Sequence, residues 1–257
     1  MVSADSTVPD PKNPQSLNRY SYAYNNPVNL SDPSGHAPTD GCHYEGCSLT
    51  IEERRESIRT YTNILLEQRG RTNMTDVEIF AQTMDFASDF NTNTQEWADD
   101  LTSIVNGTTG VFTLITGIRA GVPNFGDTGF HPVFRDGGNQ IYHWWAYANT
   151  AVQGGELGAN VIGYVGNEIH EFWDIRHGGG NSWQDYALSE NGMSYGLSLY
   201  YGDVTPEEAG DLMKTWVNTD TRRPAVRVMQ SLVPNHNLPA NTFHNMLWNI
   251  ELMLSGE

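Results

Sequence analysis

The chain has 257 residues, 38% of them hydrophobic and 11% aromatic, with 14 basic against 31 acidic side chains and a formal charge of −17. A chain of this size can bury one sizeable core, and no apolar run approaches the roughly twenty residues that a membrane span needs. So acidic a surface repels phosphate backbones, which sets nucleic acid aside as an expected partner.

Met1-Val2-Ser3-Ala4-Asp5 has neither a basic start nor an apolar stretch, so no signal peptide is read there; an exported protein would take its address from a longer parent chain. Residues 13–36, NPQSLNRYSYAYNNPVNLSDPSGH, alternate like a strand. Leu17, Arg19, Ser21 and Ala23 would face one way, and Asn18, Tyr20, Tyr22 and Tyr24 the other. Asn25-Asn26-Pro27 and Asp32-Pro33-Ser34-Gly35 then supply turn chemistry. A lone strand cannot pair its backbone groups, so it reads as the edge of a larger sheet. Residues 37–49 form a linker that carries Cys42 and Cys47. Four intervening residues suit a small disulfide loop, with a metal loop through His43 and Glu45, or two thiols, as alternatives.

From residue 50 helix signals dominate. Thr50 with Glu53, and Thr75 with Glu78, are capping boxes, opening helices to about Arg69 and about Phe90. Thr94 is expected to cap a third helix, to about Val105. Residues 107–121 hold an apolar run read as helix rather than strand, and 121–140 form a long loop with five glycines, of a length often functional. Three helices follow, at about Asn139–Val152, Leu157–Ile175 and Ser182–Leu199. Thr205 caps another, with Pro206 in its first turn and Glu207 and Glu208 facing the dipole. The last spans about Ala240–Leu254. Arg222, Arg223 and Arg227 are the only basic cluster and read as a solvated loop near a helix. The fold class expected is mainly α: a helical domain, 50–257, preceded by a short extended remnant.

The sharpest cluster of chemistry lies in the middle of these helices. Asn167, His170, Glu171 and Asp174 fall at i, i+3, i+4 and i+7, on one face of an otherwise apolar helix. His170-Glu171-x-x-Asp174 is similar to the HExxH zinc motif, with aspartate as the second ligand. In this reading Glu171 and His143 are catalytic, while His170, Asp174 and Asp185 hold a divalent metal; the cofactor is otherwise open. Ser189, Gly192 and Gly196 form a small-residue stripe that lets two helices approach closely. The competing reading is therefore a buried, mutually satisfied polar network that fixes register without catalysis. The aromatic run Tyr142 to Tyr147 reads as core, and no phosphate-binding glycine pattern, nucleophile elbow or deaminase signature is present.

Residues 2–36 closely resemble the C-terminal end of the RHS-repeat (YD-repeat) core domain: NPQSLNRYSY, NNPVN and DPSG occur together, in order and correctly spaced. The resemblance covers about one seventh of the chain. It implies a parent β-shell whose variable C-terminal domain, here 37–257, is often a toxin, with delivery to the cell surface or beyond and an immunity protein as partner. Pro27 and Asp32-Pro33-Ser34-Gly35 match the family's self-cleavage motif, but His36 stands where leucine is usual, and the upstream DPxG segment is absent. Self-cleavage by this chain alone is not expected. The alternative from a different class is a non-enzymatic structural, adhesive or assembly domain at the tip of an RHS protein.

Overall fold

The structure is a computed structural model; it describes residues 49–91, 93–106, 124–135, 140–159, 183–232 and 240–256. The chain divides into two compact units, Met1–Arg54 and Arg55–Glu257. The RHS-like segment, the cysteine loop, the apolar run at 107–121 and most of the expected helix Leu157–Ile175 lie outside the described residues. The described part is mainly α, as the sequence predicts. No helix in it is long and apolar enough to cross a membrane.

Helix α1 spans Ile51–Thr72 and begins with the predicted capping box, in which the Thr50 N–H donates to Glu53 at 2.8 Å. It ends at Asn73, whose φ of 55° is one that asparagine tolerates better than most residues. Helix α2, Asp76–Ser88, starts with the second box, its Glu78 N–H donating to the Thr75 hydroxyl. Helix α3 spans Thr94–Asn106. Its cap is Asn93 and not Thr94: the Asn93 carboxamide oxygen accepts from the N–H groups of Gln95 and Glu96. Helices α4, Gln140–Leu157, and α5, Trp183–Tyr201, are the most intimately packed pair among the described residues. Helix α6 spans Pro206–Val217, α7 Pro224–Leu232 and α8 Ala240–Ser255.

The core is aromatic. Phe80, Trp97, Trp144, Trp145 and Tyr195 are buried together, and each polar edge finds a partner, as a buried indole or phenol requires. The Trp97 indole donates to the Met84 carbonyl at 3.1 Å, Trp145 to the Thr102 hydroxyl at 3.0 Å and Trp144 to the Asn191 side chain at 2.7 Å. The Tyr195 hydroxyl donates to the Ala209 carbonyl at 2.6 Å, which ties α5 to α6.

The long loop before α4 is packed into this core where it is described. Phe125, Phe130 and Phe134 are buried, the last in a short 3-10 turn at Pro132–Phe134. The loop is fastened to the start of α2 by Asp76, whose carboxylate accepts from the Thr128 N–H at 3.0 Å, from the Thr128 hydroxyl and from Arg69. Burial pushes the Asp76 carboxyl up, but its bonds from Thr128, Gly126 and Arg69 outweigh that and hold it below the usual carboxylate range.

The basic cluster departs from expectation, because it opens a helix and is paired. Pro224 starts α7. Arg223 reaches Glu190 on α5 and Glu251 on α8, and donates to the Tyr186 hydroxyl at 3.1 Å. Arg222 grips Asp220 through two nitrogens, each at 2.8 Å. Beneath Arg223, Ala225, Val226 and Met229 of α7 pack with Leu247 of α8 against Trp183 and Tyr186 of α5, a cluster apart from the main core.

Candidate functional site

Of the five predicted site residues, His143 and Asp185 are described, and the structure brings them together. His170, Glu171 and Asp174 lie outside the described residues. His143 comes from the first turn of α4 and Asp185 from the first turn of α5, 42 residues apart in sequence. The α4–α5 seam makes the meeting possible. A Cβ on Gly192 would lie 2.5 Å from the Trp144 carbonyl oxygen, and one on Gly196 would lie 2.1 Å from that of Ala148. Only hydrogen at those positions lets the two backbones approach so closely. Gly192 and Gly196 therefore do let two helices approach closely, as read from the sequence, and the partner among the described residues is α4.

His143 is buried at 9% exposure. Its Nε2 lies 2.7 Å from the Ser189 hydroxyl and 3.1 Å from the Asp185 backbone carbonyl oxygen. Its Nδ1 lies 3.8 Å from Asp185 Oδ1. The Ser189 hydroxyl in turn donates to the Asp185 carbonyl at 2.8 Å, one turn back in its own helix. The Tyr147 ring, one turn along α4, sits with its centroid 5.0 Å from that of the imidazole.

Ser189 is the member that sequence reading missed as a polar partner. It was visible only as a small residue, although its spacing of four from Asp185 is the one that places both on one helix face. The aromatic run from Tyr142 to Trp145, and Tyr147, are buried core as expected.

Two donors bound to one cation, each at about 2.1 Å, lie no more than about 4.2 Å apart. His143 Nδ1 and Asp185 Oδ1, at 3.8 Å, fall within that reach. They are a pair only: among the described residues no group of three or more His, Cys, Asp or Glu side chains is placed to hold an ion. A complete metal site here would need the His170 and Asp174 side chains as well.

No family model, no curated protein and no solved structure matches this chain.

Proposed function

We propose that residues 37–257 are the C-terminal, toxin-like effector domain of a secreted RHS-repeat protein, and that this domain is a hydrolase assisted by a divalent metal. Glu171 and His143 act on substrate or water, and Asp185, His170 and Asp174 would hold the ion, which would supply a polarised water. The observation that carries the reading is the meeting of His143 and Asp185 across two helices, 3.8 Å apart, with the imidazole buried and the carboxylate partly open to solvent. A histidine and a carboxylate drawn together in a largely buried place are the raw material of acid–base and metal chemistry. The RHS-like residues 2–36 support delivery outside the producing cell and a neighbouring immunity protein.

The test is expression of the chain in a susceptible cell, beside its Glu171→Gln variant. Wild type arrests growth, and Glu171→Gln removes the arrest while circular dichroism and the melting temperature stay within error of wild type. Toxicity that survives Glu171→Gln overturns the catalytic assignment.

A second reading rests on the C-terminal helix, where Trp248 and Met253 are 64% and 79% exposed. Large apolar side chains turned to solvent suit an assembly or adhesive domain. Metal analysis of purified protein separates the two: one bound ion per chain favours the hydrolase, and a metal-free oligomer favours assembly.

A further inference from the structure

His143 and the two side chains beside it, Ser189 and Asp185, are the ingredients of a Ser-His-Asp relay, and the connectivity is superficially right: hydroxyl at Nε2, carboxylate toward Nδ1. Hydrogen-bond direction decides against it. The Asp185 backbone oxygen only accepts, so an Nε2 at 3.1 Å from it must carry the hydrogen. An unprotonated Nε2 would set two lone pairs against each other. The Ser189 hydroxyl spends its own proton on that same carbonyl, at 2.8 Å, and so presents a lone pair to Nε2 at 2.7 Å. Ser189 thus receives a hydrogen from His143 and does not give one. It is also fully buried and within a helix, with no approach for an acyl or phosphoryl group.

We propose that Ser189 and the Asp185 carbonyl lock His143 in its Nε2–H form, which makes Nδ1, on the side of the Asp185 carboxylate, the nitrogen that meets a proton or an ion. Ser189 is then a positioning residue acting through His143. The carbonyl sets which nitrogen bears the hydrogen, the hydroxyl shortens and aims the bond, and the Tyr147 ring limits rotation of the imidazole. The same aspartate serves twice, its backbone fixing the tautomer and its side chain lying 3.8 Å from Nδ1. The role of Nδ1 rests on the hydrolase reading above; the tautomer does not.

The experiment is nitrogen-15 NMR of the full chain labelled at histidine, at a pH where the ring is neutral. His143 is assigned by the signal lost in His143→Gln. The expected result is a pyrrole-type Nε2 and a pyridine-type Nδ1 in wild type, with the Nε2–H resonance displaced upfield in Ser189→Ala. A pyrrole-type Nδ1 in wild type overturns the proposal, and so does an Nε2–H resonance unmoved in Ser189→Ala. Should Ser189→Ala fail to fold, the wild-type tautomer decides alone. Toxicity provides the other arm: Ser189→Ala retains a measurable part of it, whereas His143→Gln loses it. Total loss in a folded Ser189→Ala would make the serine a nucleophile and refute the assignment. If His143→Gln leaves toxicity intact, it is the hydrolase reading that fails, with the NMR result untouched.

Discussion

Replacing Gly196 with alanine tests the seam on which the candidate site depends. A Cβ there would lie 2.1 Å from the Ala148 carbonyl oxygen, 2.9 Å from its carbon and 2.8 Å from the Ala151 Cβ. Two of those obstacles are backbone and cannot swing aside as a flexible side chain does. Overpacking costs about 1–3 kcal/mol when side chains can yield, and a backbone obstacle puts this case at or above the upper end. Alanine returns about 1 kcal/mol of helix propensity over glycine, leaving a net loss of about 2 kcal/mol. For a unit of about two hundred residues that lowers Tm by about 4–8 °C. Gly70 supplies the control, being helical with nothing within 4 Å of the place its Cβ would take. Gly70→Ala is expected to gain about 0.5–1 kcal/mol through the unfolded chain and propensity alone. Urea and thermal unfolding of the two variants, followed by circular dichroism, give the comparison. A Gly196→Ala protein as stable as Gly70→Ala would refute the close-approach argument.

Two further perturbations probe the acid chemistry of the scaffold. Asp85, half-buried on α2 against Gly210 of α6, has its pKa raised from 3.8 to about 6, by burial first and by the Asp211 carboxylate second, with Lys214 opposing. A folded pKa above the unfolded one gives stability that is full below 3.8 and is lost as pH rises through about 6. Asp85→Asn, which stays neutral, is therefore expected to outlast wild type by about 1–2 kcal/mol near neutrality, discounted for the solvent reaching a half-exposed group, and to lose that advantage near pH 4. Denaturant midpoints across that range check it, and parallel curves for the two proteins would refute it. Thr128→Val removes a hydroxyl that both donates to the Asp76 carboxylate and accepts from the Asp76 N–H at 2.8 Å. Its cost is about 2–3 kcal/mol for the two bonds. Because the Asp76 pKa is depressed in the fold, its contribution holds above 3.8 and is lost as pH falls. The acid-unfolding midpoint of Thr128→Val should therefore rise, and an unchanged midpoint would count against the Asp76 clasp.

What could be read from sequence was what is local. The boxes at Thr50–Glu53 and Thr75–Glu78 are written within four residues, and both form. The start of α6 at Pro206 was legible for the same reason. Helix α7 is not legible in the sequence, because its apolar residues 225, 226 and 229 make only one short turn of pattern beside arginines at 222, 223 and 227. The burial of Phe125, Phe130 and Phe134 has no periodicity to betray it; their places depend on helices distant in sequence, α2 and α4 around Phe125 and α5 beside the turn that carries Phe134. At the site, His143 and Asp185 could be named as candidates on neighbouring helices, and the glycine stripe gives the reason they can meet. The direction of each hydrogen bond depends on atomic positions, which no spacing encodes.

The Arg223 junction has a consequence for how the protein comes apart. The last two helices share a small apolar cluster with one end of α5, and a single guanidinium joins all three. Local unfolding tends to follow such separable packing units, whose opening costs less than loss of the main core. The carboxy-terminal helices should thus peel away as a unit while the tryptophan core stays closed, so that the chain yields from its end and bares the Trp183–Tyr186 face of α5 beside Asp185.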